Sequence, residues 1–172
     1  MKSMFAAIAF TMPALFTPSA LASHYTYPVL VQYETLAQKL EQNAKTIQTP
    51  EEAKTLQAET HMLMNLGFDT MDLYITKNPI CAEQFAAFKV AAPEARGMTL
   101  EQVHAKFHNG VGLPAAPRHC YFGRSQVVHP MMNILRLNGE LTAEVREQVV
   151  EDFEEVIEHL EKLQTNLDNP PE

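Results

Sequence analysis

From residue 28 onward apolar side chains recur every three or four positions and show no sustained alternation, so the chain reads as helical almost throughout, with no convincing strand. Tyr33, Leu36, Leu40, Ala44 and Ile47 predict a first helix from Pro28 to Ile47. Thr49-Pro50-Glu51-Glu52 then supplies an N-cap, a proline at the first helical position and a capping-box carboxylate, starting a second helix that lasts to about Thr76. Gly67 is its oddity, because glycine inside a helix costs about 1 kcal/mol against alanine and so marks a close contact or a bend.

Asn78-Pro79 repeats the cap-plus-proline start and predicts a third helix to about Ala91, ended by Pro93. A short fourth helix runs from the capping box Thr99-Leu100-Glu101-Gln102 to Asn109, where Gly110 supplies the stop. Gly110 to Gly123 carries three glycines and two prolines without helical period and predicts a loop, a length that is uncommon unless functional. A fifth helix is expected from Ser125 to Leu137, with Pro130 tolerable only in its first turn. The last, Thr142 to about Leu167, has the cleanest pattern: Val149, Phe153, Val156, Leu160, Leu163 and Leu167 form a heptad seam that suits a bundle and could equally serve a homodimer. The expected fold is an all-α, single-domain bundle of four longer helices with one or two short ones.

The amino terminus changes the setting. Lys2, the apolar run MFAAIAFTMPALF and the small-residue pattern Ala20-Leu21-Ala22 predict a signal peptide at 1–22, cleaved after Ala22, and a periplasmic or secreted domain at 23–172. The run is too short to span a bilayer, and no other is long enough. Export gives the two cysteines a meaning, because an oxidising compartment lets thiols pair. A Cys81–Cys120 bridge is expected, and a loop of this size stabilises by about 4 kcal/mol in the chain-entropy account.

Charge is uneven. Residues 23–139 carry ten basic and ten acidic side chains, whereas 140–172 carry eleven acids against Arg146 and Lys162. Between Glu101 and Glu140 there is no carboxylate, yet Lys106, Arg118, Arg124, Arg136, His104, His108, His119 and His129 are all present. This cationic island has two readings. It docks on the acidic last helix, or its glycine-rich loop and Arg118 or Arg124 form an anion site. The acidic total speaks against nucleic acid.

His104 and His108 stand at i, i+4, the spacing that lets two imidazoles share an ion, and His119 and His129 can complete a zinc or copper set. Against it, the island offers no carboxylate to orient the imidazoles. Softer donors, His61, Met62 and Met64 or His129 with Met131, would suit copper(I), although methionines at this spacing usually fill cores. The Cys-x-x-Cys-His needed for covalent haem is absent, as are phosphate loops, dinucleotide fingerprints and nucleophile elbows. The sequence therefore reads as a binding protein rather than an enzyme, with no cofactor required. Its expected role is an exported, inhibitor-like module that binds another exported protein or a small anion through the 110–123 loop, using Arg118, His119, Tyr121, Phe122 and Arg124. The alternative is a metal-binding or redox ligand protein centred on His104 and His108.

Overall fold

A computed structural model describes residues 25–171, and the expected signal peptide lies outside them. Six α-helices are present: α1 (Pro28–Thr46), α2 (Pro50–Ile75), α3 (Ala82–Ala91), α4 (Leu100–Val103), α5 (Cys120–Arg136) and α6 (Ala143–Asp168), with no strand among the described residues. The starts of α2, α4 and α6 fall where the caps predict. Thr49, Thr99 and Thr142 each accept a backbone N–H from the first turn, and the first two complete capping boxes with Glu52 and Gln102.

The four long helices close into a bundle in which α1 and α5 each pack against both α2 and α6. The heptad seam of α6 is consumed there: Val149, Phe153, Val156, Leu160, Leu163 and Leu167 are all buried inside the chain's own core. Residues 79–119 form an excursion between α2 and α5. It contains a 3-10 turn (Pro79–Cys81), α3, a 3-10 segment (Ala92–Gly97), α4 and a single π turn (His104–His108). The Cys81–Cys120 disulfide, with Cα atoms 5.5 Å apart, ties the beginning of this excursion to the first residue of α5. No described helix is long and apolar enough to cross a membrane.

Two departures from expectation lie in α5. The helix begins at Cys120, five residues before Ser125, so Tyr121, Phe122 and Gly123 belong to it and not to the loop. Gly123 is there because the Phe85 ring occupies the space of a side chain: a Cβ would lie 2.7 Å from Phe85 Cζ. Pro130 sits deep in the helix rather than in its first turn. Having no N–H, it cannot serve the carbonyl of Gln126 one turn earlier. The Tyr33 hydroxyl donates to that oxygen instead, at 2.7 Å.

Gly67 belongs to the same junction. A Cβ on it would lie 2.3 Å from the Gln126 oxygen, so the close contact its sequence position suggested is the crossing of α2 over α5. Gly67→Ala should therefore cost about 1–3 kcal/mol by forcing the helices apart, although alanine is the better helix former by about 1 kcal/mol. A urea titration showing the variant equal to or more stable than the parent would refute this packing.

The disulfide yields a second expectation. Its loop encloses α3, α4 and the π turn, so reduction, or paired Cys81→Ser and Cys120→Ser substitution, should lower stability by about 4 kcal/mol. An unchanged urea midpoint in dithiothreitol would show that the bridge contributes nothing.

Candidate metal centre

The carboxylates missing from the island's own sequence arrive from α6. On that helix Gln148, Asp152, Glu155 and His159 are spaced 4, 3 and 4, a polar stripe one residue ahead of the apolar seam. It faces a polar stripe on α5. Arg136 pairs with Asp152 through Nη1 and donates from Nε to Gln148, while the Asn133 amide donates to the Val149 carbonyl at 3.1 Å. His129, buried to 1% exposure, has Nδ1 at 3.1 Å from Asp152 Oδ1 and 3.6 Å from Glu155 Oε2. Docking of the cationic island on the acidic helix is thus present, carried by His129 and Arg136.

The π turn delivers a second imidazole, that of His108. Its wider i→i+5 winding stacks His104 on His108 with ring centroids 4.5 Å apart. The Arg124 guanidinium donates to the His108 carbonyl at 2.9 Å and lies over the Tyr121 ring, fixing the end of the turn. His108 Nε2 is 2.6 Å from the Tyr121 hydroxyl, which is itself 3.4 Å from His129 Nε2. Burial, followed by the nearby Glu155 charge, pushes the Tyr121 phenol well above its ordinary range. With His108 Nδ1 facing the Asn109 amide oxygen, an acceptor, at 3.1 Å, Nε2 is left to accept from the protonated phenol, and both Nε2 atoms face the Tyr121 hydroxyl.

His159 closes the group. Its Nε2 is 4.0 Å from Glu155 Oε1, and its ring lies 5.9 Å from that of His129 and 5.2 Å from that of Tyr121. Although it stands between Glu158 and Glu161, the side chain is buried, and its Nδ1 has no hydrogen-bond partner among the described residues. Burial first, and then the neighbouring His129, lower its pKa to about 4. Burial lowers that of His108 too, with His129 and His104 adding to the effect. Both imidazoles are held neutral, the form that coordinates metals.

One ligand atom each from His108, His129 and Glu155 lie within 4.8 Å of one another. Tetrahedral bonds of about 2.0–2.1 Å require separations near ~3.3 Å, so the ligand atoms would have to close by at most about 1.5 Å. Asp152 behind His129 Nδ1 is the carboxylate–imidazole arrangement that orients a metal-binding histidine. Glu155 is partly exposed and gives the site its solvent side.

The structure brings only some of the expected residues together. His104, His108 and His129 share this site, with Tyr121 and Arg124 from the expected contact surface. His119 does not: it lies beside the Cys81–Cys120 bridge, where the paired sulfurs leave no thiolate. Arg118 is exposed, Phe122 packs against the His159 ring, and Arg124 is buried without a carboxylate partner among the described residues. Asp152, Glu155 and His159 are the residues that local reading overlooked; their shared stripe on α6 was the available signal. No family model, curated protein or solved structure matches this chain.

The depressed imidazoles set a pH dependence. In the unfolded chain His159 takes up a proton near pH ~6.5, whereas the folded protein resists until about 4. Protons bind the unfolded state preferentially in that window, so stability is full above pH ~6.5 and falls as pH drops towards 4. In chelator-treated protein, the melting temperature should fall more between pH 7.5 and 5 for the parent than for His159→Phe. Equal falls would show that His159 does not contribute.

Proposed function

We propose that this chain is an exported metal-binding protein that holds one ion of the zinc or copper(II) class with His108, His129 and Glu155, and with His159 in reach. The observation that carries the reading is the convergence of His108, His129 and Glu155 from the π turn, α5 and α6, with Asp152 against His129 Nδ1 and His159 Nε2 4.0 Å from Glu155. Imidazole with carboxylate suits these borderline ions better than soft copper(I) or hard calcium. Tyr121, between the two Nε2 atoms, either turns aside on binding or becomes a further oxygen donor. His104, exposed and stacked on His108, shields the ring without facing the convergence point.

Placement in an oxidising compartment is part of the proposal and is supported by the Cys81–Cys120 bridge. The contact-surface reading has less to stand on. Tyr121 and Phe122 lie in α5, Arg124 is buried, and the loop keeps only Val111 and Arg118 as large exposed groups.

Titration of chelator-treated protein with cobalt(II), a spectroscopic substitute for zinc, should show one equivalent and visible bands typical of a low-coordinate nitrogen–oxygen site. His129→Ala or His108→Ala should abolish them. Asp152→Asn, which weakens the support behind His129, should reduce affinity by about 10–100-fold. Absence of bands and of a calorimetric response to zinc and copper(II) would defeat the reading.

A further inference from the structure

A second candidate site shares no residue with the histidine cluster. Between α2, α5 and the 3-10 segment 92–97 lies a groove of about 600 Å³, within the size range of small-molecule sites. Its apolar wall is made by Met64 and Phe68 of α2, Met131, Ile134 and Leu135 of α5, and Ala95. His61 also borders it, so three of the soft donors considered from sequence end on one groove, while Met62 points to solvent with 59% exposure.

The charges around this groove run against those of the chain. The protein has 21 acidic and 13 basic side chains, yet the groove is lined by Lys89 and Arg96 and by no carboxylate. Lys89 is engaged by Asp72. The Gln57 amide is engaged as well, donating to the Ile134 carbonyl. Arg96 is exposed and makes no ion pair or hydrogen bond among the described residues. A guanidinium without a counter-ion beside an apolar trough is complementary to a molecule with an apolar body and one anionic end.

We propose that this groove binds a linear alkyl carboxylate, its chain along Met64, Phe68, Met131 and Ile134 and its head group on Arg96. Two independent features select this class. Volume and wall chemistry favour an extended hydrocarbon, and a lining without a carboxylate, with the unpaired Arg96 guanidinium beside it, favours a carboxylate over an alcohol or an amine. The site does not depend on the metal reading, because the groove and the cluster have no lining residue in common.

Calorimetric titration of the full chain, in the presence of chelator, with dodecanoate, decanoate and dodecanol, each below its aggregation threshold, tests the proposal. Dodecanoate should bind one per chain, and decanoate about fifteenfold more weakly, about fourfold for each missing methylene. Arg96→Ala, on an exposed residue, should lower dodecanoate affinity at least tenfold, to near that of dodecanol, while leaving dodecanol unchanged. Met64→Trp should block both; if that variant does not fold, Arg96→Glu decides, with dodecanoate binding lost and dodecanol binding kept. Binding of several dodecanoates per chain that is indifferent to Arg96, or no heat at millimolar dodecanoate, would overturn the proposal. Loss of metal binding with this behaviour intact would defeat only the proposed function.

Discussion

The carbonyl oxygen of Gln126 is the point on which three helices meet. Pro130 deprives it of its helical donor, Tyr33 of α1 supplies a hydroxyl in place of the missing N–H, and α2 can approach it only because residue 67 has no side chain. An unmatched buried carbonyl would cost about 1–3 kcal/mol, so the proline is tolerable only with the tyrosine present. This junction sets the position of α5 between α2 and α6. Every residue from Gly123 to Ile134 is buried as a result, including Ser125, Gln126, His129 and Asn133. Ser125 and Gln126 bond back to the Phe122 carbonyl of their own helix, whereas His129 and Asn133 must find partners in a neighbour, and α6 is where they find them.

That requirement explains why the α5–α6 interface is more polar than a bundle needs. An apolar pairing would hold the two helices without the desolvation cost of burying Arg136 and Asp152. The polar stripe instead aligns one register: Gln148 with Arg136, Asp152 with both Arg136 and His129, and Glu155 near both His129 and His159. Shifting α6 by one turn would set Asp152, buried as it is, against the wrong partner and separate Gln148 and Glu155 from theirs. The geometry of the histidine cluster is therefore fixed by the same contacts that choose how the bundle closes.

Sequence reading reached most of the fold and little of the site, for physical reasons that particular residues make plain. Helix starts at Thr49, Thr99 and Thr142 were legible because capping is a local event, written within four residues. The disulfide followed from parity and the expected compartment. The start of α5 was not legible: Gly123 looked like a loop residue because the Phe85 ring that requires it lies 38 positions earlier. Pro130 looked like an N-terminal marker because its compensating hydroxyl is 93 positions from Gln126. His104 and His108 drew notice by their spacing, but their carboxylate partner was sought nearby and stands on another helix. The π turn that aims His108 has no local signature in residue type at all.

The disulfide and the histidine cluster divide the chain at different places. Cys81 and Cys120 both precede α6, so the bridge encloses no part of that helix. His108 lies inside the loop that the bridge closes, and Tyr121 and His129 stand on the helix that begins at Cys120. Asp152, Glu155 and His159 arrive together on a single rigid rod that no covalent link secures. The cluster is consequently complete only where α6 is docked, which makes it a reporter of the α5–α6 contact rather than of the bridged segment.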